Sequence, residues 1–139
     1  MTTRMLSFIV SLSLLAGCAS DSPAGPTTDF ISIRSIVPAD GTVLTAGAPV
    51  TFTATLECTI VSADGGFTAL VVQDQRNQSL RPGDTLAPEA ALRRGTTTVT
   101  LSQTITAPAS GSTVNLLFPI FVNGSNETRA VAVRNYLVR

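Results

Sequence analysis

Pro49-Val50-Thr51-Phe52-Thr53-Ala54-Thr55-Leu56-Glu57-Cys58-Thr59-Ile60-Val61 alternates apolar and polar side chains almost to its end. Val50, Phe52, Ala54, Leu56, Cys58 and Ile60 form one set; Thr51, Thr53, Thr55, Glu57 and Thr59 form the other. A helix would scatter both sets around its axis, whereas a strand puts successive side chains on opposite faces. The stretch therefore reads as a long strand with one face in a core and the other in water, as in an antiparallel sheet. Thr, Val and Ile suit such a pleated, half-buried surface.

Working outward, the flanking sequence repeats the pattern of strand and turn. Residues 30–37 form a first strand, closed by Pro38-Ala39-Asp40-Gly41. After the alternating strand, Ser62-Ala63-Asp64-Gly65-Gly66 reads as a turn into a third strand at 67–73. A polar stretch follows at 74–83, then a short edge strand at 85–87. Residues 90–93 could make a single helical turn, stopped by Gly95. The fifth strand, 96–106, places Val99, Leu101 and Ile105 on one face, and Gln103 interrupts that face, which points to a bulge or a strand end. Pro108-Ala109-Ser110-Gly111 leads into a sixth strand at 114–122. Asn123-Gly124-Ser125-Asn126 carries the Asn-Gly signal of a hairpin, and the seventh strand runs over 128–138. About seven short strands with regular turn signals predict an all-β chain folded as an immunoglobulin-like, two-sheet antiparallel sandwich. A small closed barrel is the alternative.

Composition narrows the chemistry. The chain has 139 residues, room for one domain with a core. Its nine basic residues are all Arg, balanced by nine acids, and it has no Lys, His or Trp. The commonest general base, the commonest metal ligand and the Schiff-base nucleophile are thus missing. No basic cluster is present to displace counterions from phosphates, so no nucleic-acid partner is expected.

The amino terminus has its own logic. Arg4 precedes an almost wholly apolar stretch from Met5 to Leu15, followed by small residues and Cys18. A charged start, an apolar stretch and a small-residue cut site form the layout of a secretory signal. Residues 5–17 would span only roughly 20 Å as a helix, too short for a permanent membrane span. Leu15-Ala16-Gly17-Cys18 resembles the lipobox of bacterial lipoproteins. The resemblance implies a signal peptide at 1–17, removed before Cys18, with Cys18 carrying the lipid. Two or more acyl chains, at about 0.8 kcal/mol per buried methylene, make a stable anchor. It also implies the cell envelope as location, and the outer membrane if the bacterium has two membranes, since Ala19 rather than Asp follows the cysteine. Residues 18–29 hold two prolines, one glycine and no large apolar side chain, so they read as a lipidated tether ahead of a folded domain at 30–139.

The domain is similar to bacterial immunoglobulin-like and fibronectin type III-like modules. Val37-Pro38-Ala39-Asp40-Gly41, Gly47 before the strand 50–56, and Gly95-Thr96-Thr97-Thr98-Val99 carry that likeness, which extends over 36–138. The antibody-type core tryptophan is absent, and Cys58 has no disulfide partner in the mature chain other than the lipidated Cys18.

Few residues could carry chemistry. Cys58 sits on the apolar face of its strand and reads as a small buried hydrophobe. Asp40, Glu57, Asp64, Asp74, Asp84, Glu89 and Glu127 are scattered, without the convergent spacing of a calcium loop or a selected catalytic pair. No catalytic residue, cofactor site or metal site is expected. Asn77, Asn123 and Asn126 begin glycosylation-like triplets that read as chance matches in polar turns. The sixth strand departs from the rest: Leu116-Leu117-Phe118-Pro119-Ile120-Phe121-Val122 is apolar on both faces. Leu117 and Phe121 would face outward, either as a partner surface or beneath a covering segment 74–95, the covered arrangement being the one favoured. Pro119 needs a bulge or an edge, because it cannot donate to a ladder. The expected function is a non-enzymatic, membrane-anchored binding or structural module, directed toward a protein partner. An envelope protease inhibitor inserting loop 74–95 or 108–113 is the alternative.

Overall fold

The computed structural model describes residues 25–83 and 86–139. The signal segment, Cys18, most of the tether, Asp84 and Thr85 lie outside the described residues. The rest is all-β: β1 (Phe30–Val37), β2 (Pro49–Ala69), β3 (Val71–Asp74), β4 (Glu89–Thr106), β5 (Thr113–Val122) and β6 (Thr128–Leu137). Every pairing is antiparallel apart from an isolated parallel bridge between Leu44 and Val138.

Two strands are long enough to serve both layers of the sandwich. Residues 49–60 of β2 lie between β1 and residues 95–106 of β4, forming the first layer. Residues 65–69 of β2 pair with 89–93 of β4 on one side and with 120–122 of β5 on the other. There they join β3, β5 and β6 in the second layer. The same pair of strands therefore continues from one layer to the other across an irregularity, and the expected third strand, 67–73, is divided between the end of β2 and β3 by a break at Leu70.

The corner is a shift of register between Ile60 and Gly65 of β2, opposite Arg94 on β4. Asp29 holds it: Oδ1 accepts the Val61 amide at 2.8 Å and the Ser62 amide at 3.0 Å, and Oδ2 accepts the Ser62 hydroxyl. Arg94 donates to the Val61 carbonyl at 3.1 Å. Backbone groups released by the irregularity are thereby satisfied, as buried or half-buried peptide groups require. Past the corner, Gly66 crosses against β5 so closely that a Cβ there would lie 2.0 Å from the Phe121 carbonyl oxygen.

The core lies between the layers. Phe52, Leu56 and Ile60 of β2 and Leu101 and Ile105 of β4 face Leu116, Phe118 and Ile120 of β5 and Tyr136 of β6. The alternating face read from 49–61 is buried as expected, apart from half-buried Val50. Phe52 and Tyr136 meet across the layers with ring centroids 5.1 Å apart. The Tyr136 hydroxyl donates to the Pro38 carbonyl at 2.7 Å, so this large buried ring keeps its polar end satisfied.

Four local expectations need correction. Residues 90–93 are strand, not a helical turn, because pairing with 65–68 captures them. Gly95, with φ 96°, marks where β4 passes between layers. The short strand expected at 85–87 is absent at Leu86 and Ala87; β4 begins at Glu89. Gln103 causes neither bulge nor end, for β4 pairs without a break from Gly95 to Thr106, and its Oε1 is buried without a hydrogen bond. Pro119 is neither at an edge nor in a bulge of β5 against β2 or β3. It sits opposite the break at Leu70, between residues 114–117 bound to β3 and 120–122 bound to β2. The missing N–H thus falls where that side of the strand has no ladder.

Candidate functional site

The sandwich has two outer faces, and they differ in kind. On the first layer, Thr51, Thr53, Thr55, Glu57 and Thr59 point outward beside Thr104, Ser102, Thr100, Thr98 and Thr96. Their hydroxyls bond across the strands: Thr51–Thr104 at 2.7 Å, Thr53–Ser102 at 2.9 Å, Thr55–Thr100 at 3.2 Å and Thr59–Thr96 at 2.9 Å. Glu57 turns to Arg34 of β1 in an ion pair. This face spends its polar groups on itself.

The second layer's outer face is built in rows across β2 or β3, β5 and β6. Phe67, Phe121 and Thr128 make the row nearest the corner. Pro119 and Val131 follow, then Val71, Leu117 and Val133. Next come Gln73, Asn115 and Asn135, and last Thr113 and Leu137. The first three rows are almost wholly apolar and the fourth is a line of amides. Phe67 and Phe121 stack with centroids 5.0 Å apart and planes inclined by 24°. Phe67, Val131, Val133 and Leu137 are exposed, at 38, 49, 41 and 55%. A row of large apolar side chains open to water marks a contact surface more strongly than isolated exposed residues do.

Leu117 and Phe121 thus lie where the strand pattern placed them, half-buried on the outward side, two rows apart. The described residues of 74–95 do not form the expected cover but hydrogen-bond along the sheet: the Leu80 amide donates to the Val72 carbonyl at 3.0 Å, the Leu70 amide donates to the Pro88 carbonyl at 2.9 Å, and 89–93 pair with β2. The edge offers unpaired backbone groups, which hold the segment more strongly than the flat face would. Sequence reading missed Phe67, Val131, Val133 and Leu137. For the last three the signal was the alternation of 128–138, whose apolar set splits between Val131, Val133 and Leu137 outside and Ala130, Ala132 and Tyr136 inside.

The other candidate groups behave as structural parts. Cys58 is buried and free, and burial, reinforced by the charge of Glu57, pushes its thiol up to about 11. A thiol so raised is a poor nucleophile at neutral pH. Asp74 Oδ1 accepts the amides of Arg76 and Gln78, both at 2.8 Å, and so shapes a turn. Asp64 pairs with Arg94 at 3.5 Å on the surface. Among the described residues no group of three or more Cys, Asp or Glu gathers in metal-binding geometry. Loop 108–113 is a tight turn tied to the end of β6 by the Gly111 amide, which donates to the Val138 carbonyl at 2.9 Å.

No family model matches the chain. No curated protein matches it either. Among solved structures, the chain is similar to a Bacteroides fragilis protein described as a "putative beta-galactosidase", with a TM-score of 0.51 and 10% identity. The similarity covers 81% of this chain and 16% of that one, so the chain corresponds to a small part of the larger protein. At that identity the likeness concerns the fold: a β-sandwich of this kind also occurs inside a much larger chain.

Proposed function

We propose that the protein is a lipid-anchored module of the bacterial cell envelope that binds a protein partner without catalysing a reaction. The observation that carries this reading is the open face around Leu117. Val71, Leu117 and Val133 form an apolar centre, and Gln73, Asn115 and Asn135 beside them offer amide donors and acceptors. An apolar centre with a hydrogen-bonding rim is the usual make-up of a protein interface. The lipobox-like Leu15-Ala16-Gly17-Cys18 supports attachment through Cys18, and the absence of Lys and His supports a role without acid–base or nucleophilic catalysis.

Two experiments test the halves separately. Intact mass of membrane-fractionated protein should show a mature chain starting at lipidated Cys18, and Cys18→Ala should abolish the modification. An unmodified terminus downstream of Cys18 contradicts the anchor. For the partner, a photoreactive residue at Val133 in living cells should give a discrete heavier adduct, reduced by Leu117→Ser. Adducts unaffected by Leu117→Ser contradict the assignment of the face.

A further inference from the structure

We propose that the corner end of the open face, centred on the Phe67–Phe121 stack, rests on the lipid surface to which Cys18 is attached. The inference depends on the lipid attachment proposed above. It starts from where the chain enters the fold. Asp29 is bound to Val61 and Ser62, and the charge of Arg129 at the start of β6 also acts on it. The Asn123 amide donates to the Gly65 carbonyl at 2.9 Å, bringing the β5–β6 hairpin to the same corner. The tether therefore meets the domain beside the row of Phe67, Phe121 and Thr128. From Cys18 to Asp29 the backbone reaches at most about 35–40 Å, so this end stays within touching distance of the bilayer.

The aromatic residues are distributed accordingly. Phe52 and Phe118 are in the core. The other phenylalanines of the described residues, Phe30, Phe67 and Phe121, all lie at the corner end. Phe30, the residue after Asp29, is 51% exposed and pairs with Thr59 near the same corner. Arg93 faces outward from β4 opposite Gly65, beside Phe67. Arg129, the extra residue where the register of β5 and β6 shifts, is paired with Glu127 at 3.9 Å, so Arg93 is the guanidinium placed to meet lipid beside the stack. Apolar rings next to such a side chain suit a lipid interface, where rings enter the acyl boundary and a long basic side chain reaches phosphate. The amide row Gln73–Asn115–Asn135 lies farther from the tether, as a face graded from lipid to water requires. The lipid contact would fix the orientation of the domain and leave the Leu117 region for its protein partner.

The chain has no Trp, so one introduced indole reports its own surroundings. Full-length lipidated protein carrying Phe67→Trp, or Val131→Trp on the adjoining row, is placed in phosphatidylcholine–phosphatidylglycerol vesicles with brominated acyl chains. Thr53→Trp on the hydroxyl face is the control. Insertion to about 5–10 Å should quench the two face reporters by about twofold and blue-shift them, leaving the control near its emission in unbrominated vesicles. If the protein floats with the vesicles but Phe67→Trp and Val131→Trp are quenched no more than Thr53→Trp, the lipid contact is overturned and the anchor stands. A shift caused by added envelope protein, without quenching by brominated lipid, also overturns it and gives the stack to a protein. If the purified protein carries no lipid on Cys18 and does not float, the anchor itself fails, and this inference with it.

Discussion

The two outer faces of this sandwich are made by the same device, alternation along a strand, and end with opposite properties. On the first layer, β2 and β4 place hydroxyls opposite hydroxyls, and the side chains bond to one another. On the second, β3, β5 and β6 place Val71, Leu117 and Val133 in one row with nothing described above them. The first face satisfies its central hydroxyls within itself and leaves apolar area open only at the two ends of β1, Phe30 and Val37. The second leaves apolar area in water at about 25 cal/mol per Å², a standing cost that contact with another surface would remove. The difference teaches that two faces built by one alternating pattern can differ in what they leave unpaired.

The strongest way to break the comparison is within β5, whose neighbouring residues look in opposite directions. Phe118→Ala should cost about 3–5 kcal/mol in urea denaturation, as a buried ring leaves a cavity. Phe121→Ala should cost about 1 kcal/mol by the same measurement, because its ring is only half-buried. Equal losses would mean that both sides of β5 are core. A smaller effect tests the crossing that lets β2 serve both layers. Gly66→Ala forces a Cβ against the Phe121 carbonyl and should lower stability by about 2–3 kcal/mol. Gly124→Ala, where nothing lies within 4 Å but φ is +82°, should cost about 1 kcal/mol through backbone strain alone.

The hydroxyl face offers a third, finer test. Thr53→Val removes one cross-strand bond and should cost about 0.5 kcal/mol, with no effect on adducts formed from Val133. The smallest effect concerns the corner. Burial tends to raise the Asp29 pKa, but bonds from Ser62 and Val61, with the charge of Arg129, together hold it below its ordinary value of 3.8. A lowered carboxyl pKa stabilises the fold above the unfolded value and loses that contribution as pH falls through the folded one. Asp29→Asn should therefore lower stability slightly at neutral pH and flatten its decline below about pH 4, read from thermal melts at a series of pH values.

How far the sequence foretold this depends on which force governs each segment. In β2 and the second part of β4, side-chain alternation and pairing agree, so 49–61 and 96–106 were legible as strand, though β2 runs on to Ala69 and β4 begins already at Glu89. At 61–66 the sequence shows turn residues, and the register with β4 does shift there, yet the chain resumes pairing with the same strand at Gly65 instead of turning back. Asp29 supplies what a hairpin would have supplied, and no local pattern records a partner 32 residues away. Residues 90–93 have modest helical character that pairing with 65–68 overrides, since a sheet edge needs a strand there. The outward direction of Leu117 and Phe121 followed from period two alone. Their neighbours across β6 did not, because register between strands depends on the hairpin and the irregularity at Phe121. The course of the described residues on either side of 84–85 differs from the expected cover for a physical reason: hydrogen-bonding capacity at Leu70 and Val72 outweighed the apolar attraction of a face.

The central claim is that the Leu117 face is dispensable for folding and serves contact. It is tested most directly by the double variant Leu117→Ser, Phe121→Ser, followed by urea denaturation beside Leu116→Ser, Phe118→Ser. The outward pair should remain folded and cooperative, with stability reduced by no more than about 2 kcal/mol, while the inward pair should fail to fold. Loss of the folded state in the outward pair as well would make that face part of the core and contradict the account.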